Sequence, residues 1–259
     1  MPVLKKNIDD SVQKLISRQN YLVTQANDLA RSFGNLSAFE HKILDFCFSY
    51  VQKDDPVDKV YSVQTKDIIK HFGLNQSGRS YERIVKAFNA LKQKTAIYMV
   101  GKLSDGRTRA ILSTSLFDYV AFGENGVNEF HFSSQVAPYV FQLKKHYYSF
   151  KLSELGRVRS KYSLALLKLW NAHSSGKLNG ATIEGSVEEW EGWLLGSDKD
   201  GKIKKVPAGV FKRDMLNHAL KELEKLYPKV LFSLETHKDG TKVTGYALTI
   251  CPIKTNVQI

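Results

Sequence analysis

One succession of elements can be read twice along this chain of 259 residues, and few folds accommodate such a duplication. In the first half, Ser37 can cap a helix from Ala38 to about Gln52 whose apolar side chains are Phe39, Ile43, Leu44, Phe46, Cys47 and Tyr50. A loop of Asp and Pro (53–58) leads to a β-like run, Val60–Val63. Thr65 then opens a short helix that Gly73 stops, and Ser77 or Gly78 precedes a longer helix to about Lys94. Two β-rich runs follow, Thr95–Leu103 and Thr108–Phe117, and the Asp105-Gly106 between them signals a hairpin. In the second half a helix covers Val158–His173, a β-like run Ala181–Ser186, and a short helix Val187–Leu195. A Gly/Asp/Lys-rich connection (196–205) leads to a longer helix from Pro207, a residue suited to a first turn, to Leu226. Two strands, Lys229–His237 and Lys242–Ile250, close the unit around Lys238-Asp239-Gly240-Thr241.

Helix, short strand, two helices and a hairpin make a winged helix, in which the hairpin is the wing of a helix-turn-helix. The expected fold class is therefore α+β: two tandem winged-helix domains, 1–145 and 146–259. With 42% hydrophobic and 25% charged residues the composition is that of an ordinary globular chain. Two cysteines, Cys47 and Cys251, provide no disulfide framework and suit a reducing cytoplasm. The first residues, MPVLKKNIDDSVQKLISRQ, lack the apolar core of a signal peptide, and no apolar run approaches the ~20 residues that span a bilayer. The net charge is +12, with an excess of six positive charges on each side of residue 145/146. A basic tail would be lopsided; this excess is shared, which fits a polyanion partner or a merely basic surface.

At 100° per residue, Tyr81, Ile84, Val85, Phe88 and Leu91 gather on one side of the helix 79–94. Opposite lie Arg79, Arg83, Lys86 and Lys94, interrupted only by Ala90, with Glu82 at the margin. Phosphates flank the major groove and Arg can read guanine O6 and N7, so such a stripe suits DNA; an ordinary solvated face is the other reading. In 208–226, Phe211, Met215, Ala219, Leu223 and Leu226 form the expected buried side, while Arg213, Asn217 and Lys221 line the exposed one. Asn pairs bidentately with adenine, so Arg213 and Asn217 are the leading candidates to read bases. Lys212 falls on the apolar side but within reach of a phosphate, and Asp214 and Glu224 dilute the positive face. Lys204 and Lys205 (with Lys202) lie just upstream; Lys238 and Lys242 flank the second wing's turn, and Arg107 and Arg109 the first. Cations at a wing tip position a protein on phosphate more than they specify sequence.

Other chemistries fit poorly. Gly73-x4-Gly78-Arg79-Ser80 lacks the lysine of a phosphate-binding loop and follows a helix where a strand is expected. A nicking enzyme would need a histidine pair for metal beside a nucleophilic tyrosine; Tyr147 and Tyr148 have no such pair. Trp170, Trp190 and Trp193 sit among leucines as core residues, with base stacking the lesser reading. No cofactor, metal site or catalytic group is expected.

Four segments occur in a telling order: Asn27-Asp28-Leu29 with the later LSAFEHKILDF (36–46); Arg159-Ser160-Lys161-Tyr162-Ser163 with LALLKLW; Phe211-Lys212-Arg213; and Lys242-Val243-Thr244-Gly245-Tyr246. Together, over roughly residues 20–252, the chain resembles the initiator Rep proteins of iteron-bearing, theta-replicating plasmids. That resemblance implies binding to directly repeated sites in double-stranded origin DNA, opening of an A·T-rich segment, and recruitment of a host initiator and replicative helicase. It also implies a homodimer that represses its own gene, in equilibrium with a monomer active at the origin. The second domain would be the main sequence reader, and the first would add dimerisation and further DNA contacts. Arg213 matches a basic position of the family, and Arg159 and Lys161 join the candidates for DNA contact. Asp214 and Asn217-His218 depart from the pattern, standing where another basic residue and Pro are common. Alternatives are a tandem winged-helix transcriptional repressor without origin function, a rolling-circle nicking enzyme, and a basic protein-interaction module.

Overall fold

The computed structural model describes residues 22–52, 54–102, 104–141, 147–174, 178–198 and 202–253. Both the stretch read for a signal peptide and the expected 145/146 division lie outside these residues. Contacts group the chain into two compact units. The first is built chiefly from Phe39–Leu143 with Phe150–Arg157, and the second takes Gln25–Ala38 together with the chain from Val158 onward.

In the first unit, helix α1 (Ala38–Phe48) is followed by strand β1 (Val60–Gln64), helix α2 (Thr65–His71) and helix α3 (Gly78–Lys94). Ser77 starts α3 as its N-cap, its hydroxyl accepting the Ser80 N–H, which satisfies one of the orphan donors of a first turn. A hairpin follows, β2 (Ala96–Lys102) and β3 (Arg109–Ser115), with Gly106 at φ +67° in its turn. Beyond it lies a second hairpin absent from the sequence-based expectation: β4 (Phe117–Phe122) and β5 (Val127–Phe132). It is β5 that pairs with β1, giving a three-stranded antiparallel sheet in the order β1-β5-β4. β2 and β3 form a separate two-stranded sheet. The core lies between α1, α3 and this sheet, around buried Ile43, Phe48, Ile84, Phe88, Phe117, Phe130 and Phe132. Tyr61 stacks on Phe130 and Phe117 on Phe132, with ring centroids 5.2 and 4.8 Å apart.

The second unit contains helix α4 (Lys161–His173), strand β6 (Ala181–Ser186), helix α5 (Val187–Leu195), helix α6 (208–226), and strands β7 (Val230–Asp239) and β8 (Lys242–Pro252). The sheet order β6-β8-β7 mirrors β1-β5-β4: in each unit the last strand lies between the other two. The wing of the first unit is therefore β4–β5, and the Ala96–Ser115 hairpin expected to be that wing is an addition before it. α5 opens with a capping box, Ser186 and Glu189 each satisfying the other's backbone N–H. The indole N–H of Trp190 donates to Tyr246 O (2.9 Å) and the Tyr246 hydroxyl to Ala208 O (3.1 Å), which fastens α5, β8 and the start of α6 together.

α6 is continuous through Ala208–Val210, a π-turn at Phe211–Leu216, and Asn217–Leu226. The wider turn brings Leu216, five residues on, beneath the face that Phe211 buries. Met215, expected inside from a 3.6-residue period, is half-buried, as is Leu226, while Leu220 is buried.

The second unit also carries a segment from early in the chain. Leu29, Ala30, Phe33 and Leu36 are buried, and a Cβ on Gly34 would stand 2.6 Å from Trp193 O and 2.7 Å from Gly196 N. Only glycine fits so close to backbone. The Lys161 ammonium donates to Gly34 O at 3.0 Å. Arg31 lies over the Trp193 ring and its guanidinium donates to His173 Nε2 at 2.9 Å, while His173 Nδ1 faces Leu169 O at 2.7 Å.

Candidate nucleic-acid interface

In the first unit the basic stripe of α3 is not as the wheel places it. Ala87 and Ala90 are buried with Ile84, Phe88 and Leu91, whereas Tyr81 is 42% exposed. Relative to the expected orientation the helix is rolled by roughly 60–70°, because its two alanines let that flank approach the core closely. Arg79 and Lys86 remain exposed, and Lys86 pairs with Glu82 at 2.5 Å on the solvent side. Arg83 instead sits 3.9 Å above the Phe39 ring. Lys94 is half-buried and donates to both carboxylate oxygens of Glu40, at 2.9 and 3.1 Å. Of the expected single-sign stripe, Arg79, Arg83 and Lys86 are thus exposed, Arg83 resting against Phe39 of α1, while Lys94 is drawn to Glu40. Arg107 is exposed at the turn of the added hairpin, where Asp105 accepts its N–H and that of Thr108. The Arg109 side chain lies outside the described residues.

In the second unit the exposed line holds together. Arg213, Asn217 and Lys221 are all exposed along α6. Arg213 forms a two-pronged pair with Asp214, Nε to Oδ1 at 2.6 Å and Nη2 to Oδ2 at 2.8 Å. The carboxylate raises the guanidinium's pKa and is itself held below the usual carboxylate range by that hydrogen bond. Lys212 reaches across to β7, its ammonium donating to Thr236 Oγ1 at 2.7 Å, which ties α6 to the strand leading into the wing. Lys238 and Lys242 stand exposed on either side of that wing's turn, where Gly240 has φ +58°. Lys204 and Lys205 are exposed on the connection before α6, closed by a bridge of Ser197 with Ile203; Lys205 lies 3.2 Å from Glu188.

Arg159 is exposed and Lys161 half-buried at the start of α4. Sequence reasoning missed what holds this start. The Glu222 carboxylate accepts the backbone N–H groups of Arg159 (2.8 Å) and Ser160 (3.0 Å). Burial pushes this carboxyl up, but hydrogen bonds from the Ser163 hydroxyl and those two N–H groups, with His218 nearby, hold it below the ordinary range. An acid on α6 facing the N-terminus of α4 is a tertiary pairing, and no local spacing announces it.

Among the described residues, no group of His, Cys, Asp and Glu is arranged to hold a metal ion. No helix there is long and apolar enough to cross a membrane.

Residues 22–171 match the family described as "Initiator Replication protein, WH1", and residues 186–250 the one described as "Initiator Rep protein, WH2". The chain belongs to the initiator Rep protein family. The two winged helices of this Rep protein are those two family domains, and the WH1 match runs past residue 145 through α4. A 144-residue stretch is 31% identical to the PI protein of Escherichia coli, covering 51% of this chain and 47% of that one. The aligned part thus spans about half of that relative. The crystal structure of a Pi initiator protein in complex with iteron DNA shares the fold, with a TM-score of 0.69 and 18% identity over 92% of this chain and 99% of that one.

Proposed function

We propose that this Rep protein is an iteron-binding plasmid replication initiator, acting without catalysis of its own. The observation that carries this is the pairing of family membership with the exposed Arg213–Asn217–Lys221 line on α6, between the basic 202–205 connection and the Lys238/Lys242 wing tip. The likeness in fold to an initiator bound to iteron DNA supports the same reading. α6 would enter the major groove, with Arg213 and Asn217 at base edges. Lys204, Lys205, Lys212, Lys221, Lys238, Lys242, Arg159 and Lys161 would neutralise phosphates. Arg79, Lys86, Arg107 and Arg109 would add contacts from the first domain, while Arg83 and Lys94 would first have to leave Phe39 and Glu40.

Bound along a row of repeats, the protein would promote opening of a neighbouring A·T-rich segment and recruit the host initiator and helicase. As a dimer it would repress its own gene. Transforming a host with the gene and its flanking DNA on an otherwise non-replicating circle tests this. An established plasmid is the expected result; a bound, repressed promoter without replication would make the protein a transcriptional repressor instead.

A further inference from the structure

The Arg213–Asp214 pair is at odds with its place. α6 is the helix we assign to the major groove, a setting lined by phosphates, and a carboxylate there is repelled unless it finds a donor. Lys212 does not supply one, being turned to Thr236; Arg213 does. The pair is fully two-pronged, yet its side chains are 72% and 46% exposed, so in water it is held weakly. Arg213 spends its Nε/Nη2 edge on Asp214, which leaves the Nη1/Nη2 edge free for guanine O6 and N7, so the carboxylate can brace the guanidinium while it reads a base. Asp214 keeps further lone pairs that a donor in the groove can use. The base-edge donors of the major groove are the exocyclic amino groups, N4 of cytosine and N6 of adenine.

We propose that Arg213 and Asp214 are a coupled two-base reader: on the cognate repeat Arg213 takes a guanine with its free edge while Asp214, still bracing it, accepts from the amino group of a cytosine or adenine on one strand of an adjacent base pair. Where the adjacent base pair presents its amino group on the other strand, Asp214 faces an acceptor and is repelled, and Arg213 is not seated. Asp214 is then a specificity-determining residue that acts through refusal of wrong sites as much as through acceptance of the right one. The exposed position on an intact helix face means its replacement leaves the core undisturbed. This inference rests on the proposed DNA-binding role of α6.

The test is a scan of single base-pair changes through the repeat, read by equilibrium titration of the full chain. Wild type, Asp214→Ala, Asp214→Asn and Arg213→Ala are compared on each, with random DNA as reference. Wild type is expected to lose about tenfold or more in affinity at two adjacent positions. Asp214→Ala should flatten the preference at one of them and bind random DNA several-fold more tightly. Asp214→Asn, which keeps an acceptor but not the charge, should gain on random DNA while retaining most of that preference. When Arg213→Ala and Asp214→Ala are combined in one chain, their effects should fall short of additive. A wild-type base profile in Asp214→Ala overturns the coupled reader while leaving repeat binding intact. A wild type that does not distinguish the repeat from random DNA overturns the functional reading and this inference with it.

Discussion

Arg213 shows how a side chain's chemistry and its immediate neighbours divide the evidence. Residue type and helical spacing alone put it on the exposed face beside Asn217 and Lys221, and all three are exposed. Its present partner, Asp214, is adjacent in sequence, and that pairing depends on rotamers rather than on spacing. Arg83, though exposed, and half-buried Lys94 each have a protein partner that the wheel does not give them. Their engagement with Phe39 and Glu40 follows from the roll of α3, which small residues at 87 and 90 permit and which a wheel centred on large apolar residues does not anticipate. If Arg213 reads a base, Arg213→Ala costs about 1–3 kcal/mol on the cognate repeat and much less on random DNA. Equal losses on both, in parallel titrations at one salt concentration, would remove it from that role.

At the scale of elements, helices and the terminal hairpin were legible because caps, apolar periodicity and Asp-Gly turns are local signals. The β4–β5 hairpin carries such a signal too, Asn125-Gly126 between Phe117–Phe122 and Val127–Phe132, but the Asp105-Gly106 hairpin before it already completes a winged-helix pattern in the sequence. The π-turn of α6 and the docking of residues 25–38 in the second unit depend on tertiary packing, with no local marker. That segment is testable by itself. Gly34→Ala forces a methyl group against the backbone of Trp193 and Gly196 and should destabilise the second unit by about 1–3 kcal/mol, seen as a lower denaturant midpoint. An unchanged midpoint would mean the segment is loosely held.

His173 gives the same segment a pH dependence. Burial lowers its pKa; the bond to Leu169 O raises it somewhat, and the Arg31 charge lowers it further, so the net value is below the ordinary one. Arg31 donates to the neutral ring's Nε2, and protonation would replace that bond with repulsion. As pH falls, the unfolded chain takes up this proton before the folded one. The contribution to stability is therefore complete above about pH 6.5 and is lost as pH falls from there toward the lower folded value. Carboxylates with lowered values, among them Asp55, Glu189 and Glu222, lose their contributions below that window, in the acid range. Thermal melts from pH 7 to 5.5 should show a falling midpoint in wild type and a shallower fall in His173→Gln. Parallel slopes would exclude the Arg31 contact as the cause.

For the whole molecule, the net charge of +12 is the coarsest fact and the least informative until it is placed. In the second unit its cations line α6 and flank the wing's turn, with Arg213, Lys205 and Lys212 already on protein partners; in the first, the stripe of α3 is broken by the roll of the helix and Lys94 is drawn to Glu40. Sequence-specific binding would thus be carried mainly by the second domain, with the first adding salt-sensitive contacts. The most direct measurement is a nuclease-protection footprint of the purified chain on the DNA flanking its gene. The account predicts several equally oriented protected blocks recurring about every 20 base pairs, near two helical turns, so that successive copies dock on one face of the duplex. A single palindromic block, or protection without repeated boundaries, would contradict it.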